Sequence, residues 1–208
     1  MRVVAVALLL VALAAHADEP ELPTRQLHFA QKDGKLLVSA TFRDIYDEQL
    51  LRDLGSGFSQ LIFVRLYVYA EGEDQPVWLT VATYLGAYAQ WDEEYLIRVR
   101  DPTGERNIKE KARAIAVADM TTIGDLPVCP ISALVPGRGY FIGAIVEVNP
   151  VTPELVAEVR KWLTRPRGGQ VGTDSLFGSF VSIFANPKVP EADKTVRFRS
   201  QPFSVQRP

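Results

Sequence analysis

The segment Ser59–Tyr88, SQLIFVRLYVYAEGEDQPVWLTVATYLGAY, decides the fold class of this chain. Its two halves, Ser59–Tyr69 and Val77–Tyr88, are rich in β-branched and aromatic residues, which favour strands. The break between them, Glu71–Pro76, is polar and carries the glycine, aspartate and proline that are typical of turns. The segment therefore predicts a long β-hairpin.

Alternating apolar residues predict further strands on both sides of this hairpin. Residues 27–42 alternate around Asp33-Gly34, a strong signal for a second hairpin. Other alternating strands are expected at 95–99, 140–148 and 196–199. Two antiparallel sheets packed face to face bury such patterns most simply, so we expect an antiparallel β-sandwich with three or four short inserted helices. A single antiparallel sheet covered by helices is the alternative.

Four segments carry helix signals. Asp44 or Asp47 can cap a short helix that ends at Gly55. Apolar residues at helical spacing predict a second helix at about 108–119, and a proline-containing loop is expected to follow it. Two more helices are expected, one beginning at Thr152-Pro153 and one within 173–186.

The N-terminus has the pattern of a secretory signal peptide. Arg2 precedes the apolar run Val3–Ala15, and the small residues of Ala15-His16-Ala17 come just before the cleavage that we expect after Ala17. The run is shorter than the ~20 residues of a membrane-spanning helix, and no cysteine follows it to carry a lipid anchor. We therefore predict a signal peptide at 1–17 and a single periplasmic domain at 18–208, without a transmembrane helix.

Composition excludes several kinds of site. Beyond Ala17 the sequence has one histidine, His28, and one cysteine, Cys129, so a His/Cys zinc site and an intrachain disulfide are both excluded. We expect Cys129 to be buried and inert, and strand alternation places His28 on a solvent-facing side. The net charge is −2 and the basic residues are scattered, which argues against a nucleic-acid partner. No catalytic residue, metal or cofactor is predicted.

Aromatic residues form the first candidate contact surface. Five of them lie within eighteen residues on two neighbouring strands: Trp78, Tyr84, Tyr88, Trp91 and Tyr95. Cross-strand packing in the core is one interpretation, and a binding face is the other. Exposure of Trp91 would favour the binding face.

The second candidate surface is the uncharged segment Ser175–Ala185, which is too short to span a bilayer. It could pack on the sheet, lie on a membrane surface together with the arginines of 165–186, or dock on another protein. In the docking hypothesis, the predicted contact residues of the two surfaces are Tyr88, Trp91, Leu176, Phe177, Phe180, Val181 and Phe184.

The order of several segments along the chain can be compared with that of known families. The segments are KLLVSATF, DEQLLRDLGSG, LIFVRLYVYA, TYLGAYAQWDEEYLIRV, KEKARAIAVADM and RGYFIGAIVEVNPVTPE. The order resembles that of the bacterial domain-of-unknown-function family 4390, whose members are exported envelope proteins of Gram-negative bacteria. The resemblance covers about Leu27–Glu154 and rests on pattern, and the chain departs from it towards the C-terminus. It implies no activity, cofactor or catalytic residue.

These features lead us to expect a non-enzymatic periplasmic protein that binds another protein of a cell-envelope assembly. A carrier of a lipid or another hydrophobic ligand is the alternative, and an unrecognised hydrolase is a remote one. Contact with a membrane surface through 165–186 is compatible with either of the first two.

Overall fold

The computed structural model describes residues 22–150 and 192–206. Within these ranges the chain is mainly β, as predicted, with eleven strands in two sheets and two α-helices. The predicted signal peptide and the predicted helices after Thr152 lie outside the described residues. The same holds for five predicted contact residues, Leu176, Phe177, Phe180, Val181 and Phe184.

The elements follow in chain order. The strands are β1 (Thr24–Arg25), β2 (His28–Lys32), β3 (Lys35–Thr41), β4 (Gln60–Ala70), β5 (Pro76–Ala89), β6 (Glu94–Asp101), β7 (Gly104–Glu110), β8 (Thr122–Pro130), β9 (Gly139–Val148), β10 (Lys194–Ser200) and β11 (Phe203–Ser204). The α-helices are α1 (Glu48–Gly55) and α2 (Arg113–Thr121), and single 3-10 turns lie at Arg43–Ile45 and Ile131–Ala133.

The large sheet has the order β1-β10-β9-β4-β5-β6-β7, and β11 pairs with the beginning of β9. Its centre is the predicted hairpin of β4 and β5, which pair from Gln60–Gly86 to Tyr69–Pro76. The expectation of a purely antiparallel sheet is wrong at one edge, because β1 pairs with β10 in parallel. A hydrogen bond from Arg199 N–H to the Pro23 carbonyl (3.0 Å) extends the contact between the β1 segment and β10.

The small sheet has the order β2-β3-β8. The predicted turn at Asp33-Gly34 is confirmed, with φ of 51° and 69°, the left-handed pair that a two-residue hairpin turn requires. The predicted proline loop after residue 121 is wrong for residues 122–130, which form β8, and right for the residues around Pro136, which connect β8 to β9. Prolines are tolerated in β8 because it is an edge strand, whose outward N–H positions need no partner.

The two helices differ in how well local sequence predicts them. Helix α1 begins after Asp47 as expected, and the Asp47 carboxylate accepts a hydrogen bond from Leu50 N–H (3.1 Å). The helix predicted at 108–119 begins instead at Arg113. Ile108 lies in β7 opposite Ile97, because the turn at 101–104 closes a hairpin that continues to residue 110.

The main core lies between the two sheets. Alternate residues of β4, β5 and β6 face β3 and β8, and the apolar sides of α1 and α2 complete the same cluster. The Thr80 hydroxyl on β5 donates a hydrogen bond to the Val128 carbonyl on β8, so the sheets are also joined by a polar contact. The small sheet and both helices therefore pack on one face of the large sheet, here called the inner face; the other is the outer face.

Close packing at Gly86 on β5 leads to a stability prediction. A Cβ atom there would overlap the thioether end of Met120, which is fully buried in α2 and has little room to move. We expect Gly86→Ala to lower the free energy of unfolding by about 1–3 kcal/mol in urea titration. Gly139→Ala is the matched control, because its Cβ would meet only the exposed Glu71 side chain, which can swing away. Equal stability of the two variants would contradict this packing.

Candidate functional site

A surface groove of about 420 Å³ opens on the outer face of the large sheet, where β5, β6 and β7 lie side by side. Neighbouring residues of these three strands form the groove, together with Ser59 at the end of the α1–β4 loop. The side chains that line it are Ser59, Leu85, Ala87, Leu96, Arg98, Asn107 and Lys109. The groove therefore combines an apolar floor with polar and cationic sides.

Strand alternation explains why the floor is apolar and open. Tyr95, Ile97 and Val99 point into the main core, so their neighbour Leu96 points outwards. Leu85 is exposed for the same reason, since its neighbour Tyr84 is buried. Leu96 and Leu85 are 40% and 39% exposed, which is unusual for large aliphatic side chains in the middle of a sheet.

The charged groups around the groove are paired with one another. Lys109 Nζ lies 2.5 Å from Glu94 Oε1, and this hydrogen bond raises the pKa of the Lys109 ammonium above its ordinary value. On the other side, Glu105 accepts from Arg100 and lies 3.7 Å from the Arg98 Nε. The rim thus carries ionised groups of both signs and no large excess of either.

Trp91 lies in the turn between β5 and β6, two of the strands that form the groove, and is not itself one of the lining residues. Its side chain is 99% exposed, more than any other large hydrophobic residue described. The neighbouring Gln90 donates a hydrogen bond from Nε2 to the Ser56 carbonyl (3.0 Å), which holds the turn against the α1–β4 loop. Phe58 in that loop is also exposed. We call the exposed large apolar side chains of the α1–β4 loop, the groove floor and the β5–β6 turn the Trp91 surface: Phe58, Leu85, Trp91 and Leu96.

The other predicted aromatic residues take part in packing. Tyr84 and Tyr95 are buried in the main core, and Trp78 is half-buried against it. Tyr88, a predicted contact residue, is half-buried and packs on Tyr95 with ring centroids 4.8 Å apart. The aromatic cluster therefore divides: four rings stabilise the fold, and Trp91 alone of the five is open to solvent.

In the ranges 22–150 and 192–206, no group of three or more His, Cys, Asp or Glu side chains is placed to hold a metal ion. His28 is exposed on β2, as its position in the strand predicts. The same part of the chain contains no helix of the length and apolarity needed to cross a membrane.

Cys129 is buried in β8, as predicted, and burial raises the pKa of its thiol to about 12. We expect no measurable reaction with an aromatic disulfide reagent at pH 8 in the folded protein, because the thiolate is scarce and the sulfur is inaccessible. In 6 M guanidinium chloride one thiol per chain should react fully. Rapid reaction without denaturant would show that β8 opens readily.

The sequence predicted Trp91 but missed the groove beside it. Leu96 carries a signal that could have been used, because it is an apolar residue on the side of β6 that otherwise holds Arg98 and Arg100. Lys109 carried no such signal, since residues 104–110 have no apolar alternation and were not predicted as a strand. Finding the groove required the register of β7 on β6.

Comparison with known proteins gives no match: no family model, no curated protein and no solved structure is similar to this chain.

Proposed function

We propose that this protein is a non-enzymatic binding module of the bacterial cell envelope and that the Trp91 surface contacts a partner protein. The observation that carries the proposal is the complete exposure of Trp91 in a turn that a hydrogen bond holds in place. Tryptophan is enriched among the residues that dominate protein–protein binding energies, because a rigid ring buries a large area at small entropic cost.

The composition of the surface supports a protein partner. Apolar side chains occupy its middle, and the ion pairs Lys109–Glu94 and Arg100–Glu105 lie beside them. An apolar centre with a polar rim is the usual anatomy of a protein interface. Because the rim charges already neutralise one another, the partner needs an apolar patch and no strong charge of its own.

A hydrophobic ligand is the second candidate, and the volume of the groove supports it. About 420 Å³ lies within the range of small-molecule sites, ~300–1,000 Å³. Such sites usually enclose most of the ligand surface. The floor residues Leu85 and Leu96 lie open to solvent, which favours the protein partner over the enclosed ligand.

The setting of this module is also part of the proposal. The pattern of residues 1–17 supports export, and the resemblance to family 4390 supports an envelope location. Packing of the small sheet on the large one supports a β-sandwich, in which the partner contacts one end. We propose no catalytic residue, metal or cofactor.

Affinity capture from detergent-solubilised envelopes tests the proposal. The tagged protein should retain one partner at a fixed stoichiometry, and Trp91→Ala should weaken its binding about 30-fold, as expected for a contact of ~2 kcal/mol. Ile115→Ala is the matched control, because Ile115 is an exposed apolar residue on α2, away from the Trp91 surface. Both variants should unfold at the same urea concentration as the parent.

Three outcomes would count against this function. Capture that is unchanged by Trp91→Ala would remove the Trp91 surface from the interface. Recovery of lipid without protein would support the hydrophobic-ligand candidate. Failure to retain any component would contradict both.

A further inference from the structure

The outer face of β4, β5 and β9 carries a second hydrophobic cluster, separate from the core between the sheets. Tyr67 and Tyr69 on β4 are 0% exposed, and Leu79, Phe141 and Ile145 on the neighbouring strands are also buried. The rings of Tyr69 and Phe141 stack with centroids 5.3 Å apart. This part of the outer face is therefore as well buried as the inner face, whereas the part around Leu85 is open to solvent.

An ion pair on the same face is buried with the cluster. Arg65 Nη2 donates to Glu147 Oε2 over 2.7 Å, and the two side chains are only 11% and 1% exposed. Charged groups at the surface of a sheet normally stay hydrated, because removing them from water is costly. Their burial indicates that a further layer of protein lies over the face.

Among the described residues, Arg199 of β10 covers one ring of the cluster, since its guanidinium lies 4.5 Å from the centroid of the Phe141 ring. Every described member of the cluster belongs to β4, β5 or β9. Side chains stand roughly perpendicular to a sheet, so their outer ends meet water unless other protein atoms lie over them. The small sheet, α1 and α2 cannot help, since they pack on the inner face.

The connection between β9 and β10 is the segment best placed to cover this face. It leaves the described structure after residue 150 and returns at residue 192. Its two ends are joined, because Asn149 Nδ2 lies 2.8 Å from Asp193 Oδ2 and Asp193 N–H donates to the Val148 carbonyl (2.9 Å). Both ends thus lie beside the part of β9 that contributes Ile145 and Glu147 to the buried face.

The sequence of this connection fits an apolar surface. Its stretch Ser175–Ala185 has no charged side chain, and at helical spacing its large residues fall on one side. Those residues are Leu176, Phe177, Phe180, Val181, Ile183 and Phe184. The aromatic and aliphatic face of β4, β5 and β9 has the matching chemistry.

We propose that residues 151–191 pack on the outer face of the large sheet through the apolar residues of Ser175–Ala185. The sheet then lies between two apolar layers, and this segment is part of the fold and does not dock on another protein. The inference is independent of the proposed function, because none of the four residues of the Trp91 surface belongs to the segment.

Photo-crosslinking in the full chain tests the inference. Benzoylphenylalanine replaces Val81, which is half-buried at the edge of the outer cluster, and equal amounts of ¹⁴N- and ¹⁵N-labelled chains are mixed before irradiation. We expect crosslinked peptides from 151–191 that carry the same isotope as the probe. The same probe at Ile115, on the opposite side of the large sheet, should give no crosslink to that segment.

A second probe protects the test against a misfolded variant. Benzoylphenylalanine at Phe180 is a conservative change that leaves the sheet unaltered, and it should crosslink to peptides of β4, β5 or β9.

Crosslinks from Val81 to residues 1–21 would assign the layer to the N-terminus. Crosslinks between differently labelled chains would assign it to a second copy, and no protein crosslink from either probe would mean that solvent reaches the face. Each of these results overturns the inference.

Discussion

Replacement of Arg65 with methionine is expected to lower the free energy of unfolding by about 3–5 kcal/mol. Methionine fills much of the volume of the arginine stem but cannot neutralise Glu147, whose carboxylate is buried 2.7 Å from the guanidinium. A buried carboxylate that loses its cation leaves an uncompensated charge in a region that excludes water, and this costs free energy. Urea titration followed by circular dichroism measures the loss.

The matched control is the double variant Arg65→Met/Glu147→Leu. It removes both charges from the outer face, and replacement of a buried ion pair by apolar residues is often neutral or stabilising. We therefore expect the second substitution to recover most of the stability lost in the first. A cost below about 1 kcal/mol for Arg65→Met alone would be that of an exposed pair and would contradict a covered outer face.

Val38→Asp is expected to have an even larger effect, more than about 5 kcal/mol, and to leave little folded protein at 37 °C. Val38 is fully buried in β3, where it belongs to the core between the two sheets. An aspartate there would place a carboxylate among apolar side chains with no cation to receive it. The fraction of soluble, protease-resistant protein and the urea midpoint measure the effect.

His28→Asp is the control for this substitution. It adds a carboxylate at an exposed position of the adjacent strand β2, so its effect on stability should stay within ~0.5 kcal/mol. Together the two variants test whether the small sheet packs face to face on the large one. If Val38→Asp were tolerated as well as His28→Asp, the sheets would not form the proposed sandwich.

Local signals made much of this fold predictable. The Asp33-Gly34 turn, the polar break before Pro76 and the capping residue Asp47 each act within a few residues, and each lies where the sequence placed it. The sequence-based prediction failed where the structure of a segment depends on its pairing with a distant part of the chain. Residues 122–130 look like a loop because of their prolines, but they form an edge strand because β3 offers them a partner.

The site was predictable in part for the same reason. Trp91 lies just after β5 and before β6, and the sequence predicts both of these strands. Its position in the turn between them therefore followed from the sequence. The groove depends on the pairing of residues 104–110 with β6, and these charged residues show no apolar alternation. The continuous apolar run of β4 is typical of a strand buried on both faces, but the sequence alone does not say what covers each face.

Oxidative footprinting of Trp91 in intact cells tests the central claim, that the Trp91 surface contacts a partner protein. Hydroxyl radicals modify exposed Trp91 rapidly in the purified chain, and His28, exposed on the small sheet, serves as an internal reference. We predict that the ratio of Trp91 to His28 oxidation falls by about fivefold or more in cells, because a bound partner buries an interface centre. An unchanged ratio would show that Trp91 is as exposed in the cell as in solution and would contradict the claim.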